Sequence, residues 1–216
     1  LGENSPSALQ REVRHRQPGW GAFVLYLGIT TTDLPKGIAD HHQILPSLQG
    51  DLGETNSLFV SMSPEWDTSR APKGHRAVTV TTHTRVQPWW DLLEQGQTAY
   101  EDRKHAYAER MLAHIEAALP GFQRSIRLNL PGTPVTYQFY TQRHLGMVGG
   151  FPQQSLLKAR GPRTGLSNLR LVGDSIFPGQ STAGVTLGAI RVARDIQRHW
   201  QAQPRQAVAL AKMGFS

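Results

Sequence analysis

With 38% hydrophobic and 18% charged residues, the 216-residue chain has the balance of a globular rather than a disordered protein. It contains no cysteine, which excludes disulfide staples, thiol catalysis and cysteine-held metals. The net charge of +7 is spread along the chain, "REVRHR" (Arg11 to Arg16) being the only tight cluster. No zinc-finger, RRM-like or basic-zipper pattern accompanies it, so no nucleic-acid partner is expected.

Residues 1–19 are polar and predict a loop or a frayed helix. "GAFVLYLGI" (Gly21 to Ile29) is a continuous apolar run of strand length, expected to be buried on both faces. Thr30 to Pro46 read as turn and loop, "SLFVSMS" (Ser57 to Ser63) as a short strand, and Pro64 to Gly74 as a surface loop. "HRAVTVTTHT" (His75 to Thr84) alternates as a half-buried strand does. Val78, Val80, Thr82 and Thr84 share one face; Ala77, Thr79, Thr81 and His83 share the other.

From Thr98 to Leu119 the period becomes helical. Tyr100, Lys104, Tyr107, Met111, Ile115 and Leu119 form a stripe widened by Leu112, and Pro120-Gly121 terminates it. "SIRLNL" and "VTYQFY" (Val135 to Tyr140) read as strand-like pieces before the glycine-rich His144 to Pro152. The segment after Trp200 reads either as a short helix or as disordered tail.

The densest stretch is Leu171 to Ile196, "LVGDSIFPGQSTAGVTLGAIRVARDI". Asn168 to Gly173 predict a strand whose Leu169, Leu171 and Val172 enter a core. Gly173 would let a ligand approach the backbone, and Asp174 would place a carboxylate at the strand's C-terminal edge, suited to hydroxyl donors. Thr182 is the expected N-cap, with Gly184 and Val185 in a first turn whose N–H groups attract negative charge. An ordinary strand-turn-helix with packing glycines explains the same residues equally well.

Other chemistry finds little support. His41 and His42 should point to opposite faces of a strand, and His83 and His144 lack partners at metal-ligand spacing, so no metal site is expected. His83 could line a cavity or be a structural histidine. No G-x-S-x-G elbow is present.

The segment "NLRLVGDSIFPGQSTAGVTLGA" (Asn168 to Ala189) resembles the C-terminal flavin-binding segment of the phytoene desaturase family. That family comprises FAD-dependent carotenoid desaturases, isomerases, ketolases and retinol saturases. "SMSPEWDTSRAPKGHRAVTVTTHT" is similar to the family's substrate-domain loop and strand, and "YTQRHLGMVGGFP" to its glycine-rich approach to the flavin. The resemblance covers most of residues 20–200, and is most specific at Gly173-Asp174 and Phe177-Pro178-Gly179.

The resemblance implies an α/β fold: a substrate-binding α+β domain with a mixed sheet and a long helix over residues 1–140, then the C-terminal strand-loop-helix of a Rossmann-type FAD domain over 141–200, and a tail over 201–216. Gly173, Asp174, Pro178 and Gly179 would contact the cofactor, Asp174 accepting from a ribityl hydroxyl. Gly184 and Val185 would offer N–H groups to the isoalloxazine edge. No GxGxxG occurs in the chain, so the fold is incomplete relative to the family, and a Rossmann half elsewhere would complete the site. The implied activity is desaturation of a carotenoid or related polyene. Isomerisation, ketolation and retinol saturation are the alternatives within the family. A truncated paralogue or interaction module that keeps the fold without FAD is the non-enzymatic alternative. The cofactor carries the hydride step in such enzymes, so no catalytic side chain is named.

No apolar run reaches the roughly 18 residues of a membrane span, and the N-terminal residues lack the apolar centre of a signal peptide. The expected location is cytoplasmic, with an apolar polyene reached from an anionic membrane surface.

Overall fold

The computed structural model describes residues 4–15, 17–149 and 159–212, with side chains up to residue 201. It contains two compact units, Pro18–Val148 and the pairing of Leu1–Gln17 with Gly149–Ser216. Gly150 to Pro152 of the glycine-rich run and Arg16 of the basic cluster lie outside the described residues.

The Pro18–Val148 unit has the expected mixture of sheet and helix. Its strands β1 (Trp20–Thr30), β2 (His41–Ile44), β3 (Leu58–Met62), β4 (His75–Arg85) and β5 (Ile126–Gly132) form one sheet in the order β2-β3-β4-β1-β5, and every ladder is antiparallel. β1 is hydrogen-bonded on both edges, by β4 and β5. Phe23, Leu25, Leu27 and Ile29 project from β1 into the core, while Ala22 and Val24 are buried on its other face. Tyr26 is the exception to two-sided burial, at 43% exposure. β3 (Leu58–Met62) and β4 alternate as their sequences predict, sending Leu58, Val60, Met62, Val78 and Val80 inward.

One layer of helices covers the inward face. α3 (Gln97–Ala118) packs through Tyr100, Tyr107, Met111 and Ile115 of the predicted stripe and through Ala108, with Leu112 and Leu119 partly buried against the core. It stops where Gly121 takes a left-handed φ of 91°, and Glu116 accepts hydrogen bonds from the N–H groups of Gly121 and Gln123, both 2.8 Å. Those two bonds hold the Glu116 carboxyl below its ordinary range. Preceding α3, α2 (Gln87–Gln95) was not anticipated; Trp89 anchors it beside Phe23 and Tyr107.

Two elements depart from the sequence reading. His41–Ile44, read as loop, forms the edge strand β2 paired with β3. "VTYQFY", read as strand, lies in helix α5 (Pro134–Thr141), which follows the short α4 (Phe122–Ser125) and β5. Its β-branched and aromatic composition is overridden by its start. The Thr133 hydroxyl accepts from the Thr136 N–H, the Thr136 hydroxyl accepts from the Thr133 N–H, and Pro134 fixes the first helical φ.

In the other unit, α1 (Ser7–His15) resolves the N-terminal alternative in favour of a helix. α6 (Thr182–Lys212) continues as one helix past Trp200, which resolves the tail as far as Lys212 in favour of a helix.

Thr133 is wholly buried and its hydroxyl also lies 2.7 Å from that of Tyr100. Thr133→Ala should therefore cost about 2 kcal/mol, a lost cap plus an orphaned buried hydroxyl, measured by urea denaturation. Burial pushes the Tyr107 and Tyr137 phenols above their ordinary 10.0, helped at Tyr137 by the Tyr26 hydroxyl 2.8 Å away. Folding favours their neutral forms, so this stabilisation is complete below pH 10.0 and declines above it. An alkaline absorbance titration should show two tyrosines ionising only as the fold is lost.

Candidate functional site

The segment from Gly161 to Trp200 holds every sequence-predicted site residue. The expected strand at Asn168–Gly173 is not formed. Among the described residues its ladder bonding is a single bridge, Arg163 with Arg170, and the Leu171 N–H on the Pro162 carbonyl at 2.8 Å. A strand needs a neighbour along its length, and here the run folds back in a tight turn instead. The Arg170 guanidinium fastens that turn, donating to the carbonyls of Leu166, Ser167 and Leu169 and reaching Asp195 of α6 at 3.3 Å. Val172 consequently stays 59% exposed instead of entering a core.

Beyond the turn the chain lies down on the start of α6. Gly173 has a φ of 116°, and a Cβ there would meet no atom within 4 Å, so its backbone is openly approachable. Gly179 is the reverse case. A Cβ would lie 2.5 Å from the Ile176 carbonyl oxygen and 2.8 Å from that of Asp174. Gly184 and Gly188 receive the other side of the loop: a Cβ on Gly184 would lie 2.8 Å from the Gly179 carbonyl oxygen, and one on Gly188 2.9 Å from that of Pro178. Ile176 is buried beneath, and the Phe177 N–H donates to the Arg160 carbonyl at 2.7 Å. The glycines thus allow close contact of backbone with backbone, and Asp174, Pro178, Gly179 and Gly184 come together around one loop.

The helix start differs from expectation by one residue. Ser181, not Thr182, is the N-cap: its hydroxyl accepts the Gly184 N–H at 2.9 Å and its carbonyl accepts the Val185 N–H at 2.8 Å. The two N–H groups expected to face a ligand are therefore held within the helix start. Thr182 and Ala183, preceding the first intrahelical bond, are the residues whose N–H groups remain for an outside acceptor.

The Pro18–Val148 unit offers a different surface. Helices cover one face of its sheet; on the other, His41, Ser61, Thr79, Tyr26 and Leu130 form a row across all five strands. Leu128 and Leu130 are about half exposed, as is Phe59, on which His41 stacks at 5.9 Å. A cavity of about 660 Å³ opens here, with Tyr26, Gly28, Ala77 and Leu128 on the sheet side and Ala71 and Pro72 contributed by the surface loop. Asp40 pairs with the Arg76 guanidinium, which also donates to the Ser63 carbonyl at 2.5 Å. Sequence reasoning missed Arg76, although an arginine in register with Val78 and Val80 on an inward face was a legible anomaly. His83 is exposed and outside this cavity, and His42 bonds the Ala39 carbonyl. Among the described residues no cluster of three or more potential metal ligands occurs, and no helix is long and apolar enough to cross a membrane.

No protein-family model matches the chain. Curated relatives do. A chloroplastic prolycopene isomerase of Daucus carota is 30% identical over 200 aligned residues, covering 88% of this chain and 32% of the relative. That of Arabidopsis thaliana is 31% identical over 181, covering 80% and 30%. A neurosporene-forming phytoene desaturase of Cereibacter sphaeroides is 26% identical over 219, covering 91% and 41%. The chain is carotenoid desaturase/isomerase-like.

This carotenoid desaturase/isomerase-like chain spans about a third of the length of the isomerases it matches. In it, Gly188→Ala should lift the loop from α6, because a Cβ there would lie 2.9 Å from the Pro178 carbonyl oxygen, which must move. Hydrogen exchange at Gly184 and Val185 should accelerate about tenfold or more, the equivalent of one weakened hydrogen bond. Gly161→Ala, which meets open space, should leave exchange unchanged.

Proposed function

We propose that the chain is part of a flavin-dependent enzyme that isomerises or desaturates a carotenoid polyene, isomerisation being the first reading. The carrying observation is the 30–31% identity to proteins named prolycopene isomerase, sustained over 80–88% of the chain. Against it, the 26% identity to a phytoene desaturase makes desaturation, the expectation from sequence, the second reading.

The residues present fit part of a flavin nucleotide. Gly173 leaves its backbone open to a ligand, and the neighbouring Asp174 carboxylate could accept from a ribityl hydroxyl. Thr182 and Ala183 would offer N–H groups at a helix start that favours negative charge. Pro178, Gly179, Gly184 and Val185 would then serve by keeping the loop pressed to α6, the role their backbone contacts support. When bound, FAD would supply two-electron exchange with the polyene. The Rossmann portion of its site would come from sequence outside this chain.

For the substrate, the open sheet face has the required chemistry. Tyr26, Leu128 and Leu130 present apolar surface, and the adjacent cavity is walled mainly by small and apolar side chains. A polyene could lie there by burial of hydrocarbon against those side chains, alongside Asp40, Arg70, Arg76 and Arg127, which also line the cavity. Its insolubility in water makes a membrane surface the natural source.

Expression of the complete reading frame containing this chain, followed by absorbance spectroscopy and product analysis, tests the proposal. A bound flavin spectrum and a polyene product of unchanged mass but altered retention are expected. A product lighter by a hydrogen pair would transfer the assignment to desaturation. A colourless protein that leaves the polyene unaltered would instead favour a non-catalytic module that keeps the fold without FAD.

A further inference from the structure

Beside the helical layer, a second and smaller pocket of about 290 Å³ is bounded by Glu54, Thr84, Pro88, Trp89 and Leu92, together with three arginines. Arg85 ends β4, and Arg103 and Arg110 flank Tyr107 on α3. Their guanidinium carbons lie 5.6 and 5.3 Å from the Tyr107 ring centroid, and that of Arg85 lies 5.2 Å from a Trp20 ring. Stacking on a ring positions a guanidinium without consuming its N–H donors. Among the described residues none of the three arginines forms an ion pair with a carboxylate.

Glu54 is the one carboxylate in this pocket, and it is already committed. It accepts from the Arg85 backbone N–H at 2.7 Å and the Tyr107 hydroxyl at 3.0 Å, while the Thr84 hydroxyl lies 3.1 Å from both carboxylate oxygens. The backbone behind it is held in an unfavourable conformation, φ 45° at Glu54 and 75° at Thr55. The Glu54 N–H donates to the His83 carbonyl at 2.7 Å, and that of Thr55 to the Thr82 hydroxyl at 3.3 Å. Glu54 is therefore fixed facing neutral donors, and cannot swing out to a guanidinium without leaving the buried Tyr107 hydroxyl unpaired. Three cations against one carboxylate leave the pocket with a formal charge of +2.

We infer that this pocket binds a phosphate group through Arg85, Arg103 and Arg110. Phosphate is a near-dianion at neutral pH, and its oxygens match the guanidinium fork bidentately. A free phosphate and the headgroup of a phosphatidic-acid lipid present the same oxygens. The site shares no residue with the loop on α6 or with the open sheet face, and stands whether or not the chain acts with a flavin.

Two binding arms on the full 216-residue chain test it: calorimetric titration with inorganic phosphate, and flotation with phosphatidylcholine vesicles with and without phosphatidic acid. Saturable binding should weaken at least about tenfold in R103A/R110A, the worth of one charge-assisted hydrogen bond. The pair R194A/R198A on α6, with equal loss of charge, should bind as the unaltered chain does. Binding in the phosphate arm names a free anion as the source, and binding confined to phosphatidic-acid vesicles names the headgroup. R103K/R110K keeps the charge and guards against a folding defect; intermediate affinity is expected, and unchanged affinity would show that the fork geometry is irrelevant and overturn the assignment. No saturable binding in either arm, or equal weakening by both alanine pairs, would overturn it outright.

Discussion

The Pro18–Val148 unit depends on β1 being hydrogen-bonded along both edges. A central strand cannot satisfy its backbone from water, so neighbours on both edges must pair with it and hold register. Phe23, Leu25, Leu27 and Ile29 then commit one face to α3, and the aromatic cluster of Phe23, Trp89 and Tyr107 fixes where that helix and α2 sit. Because both helices are spent on that side, the opposite face is left to Tyr26, Thr79 and Leu130. The apolar surface open to a ligand is thus a product of how the core is satisfied.

A different constraint governs the residues after Gly161. There the organising contacts join backbone to backbone, made possible by Gly179, Gly184 and Gly188. Close approach of carbonyl oxygens to a helix start serves two ends at once. It fixes the loop without a large core, and it leaves Gly173 and the first two N–H groups of α6 unencumbered.

A continuous apolar run made β1 legible, and periodicity β4 and α3, because their burial is decided by patterns local in sequence. β2 was hidden, since "HHQI" has no apolar alternation and becomes a strand only by pairing with β3. α5 was concealed by composition: Tyr137, Phe139 and Tyr140 favour a strand until the Thr133-Pro134 cap is weighed. At the candidate site the residue types were readable, but their employment was not. That Ser181 rather than Thr182 caps α6 turns on one hydroxyl's direction, and that Gly184 and Val185 donate inward follows from it. The arginine pocket was invisible for another reason, as Arg85, Arg103 and Arg110 meet only through the packing of β4 against α3.

The two margins of the sheet carry a consequence for solubility in the partly assembled chain. An exposed strand margin is a template for another strand, and long apolar ones seed aggregates. Here one margin, β2, is four residues long and carries two histidines. The other, β5, exposes Leu128 and Leu130 but places Arg127 at its start and Pro131 near its end. A proline cannot donate to an incoming ladder, and a charged neighbour resists being covered. The sheet can therefore keep a hydrocarbon-friendly face open while offering little purchase to a second copy of itself.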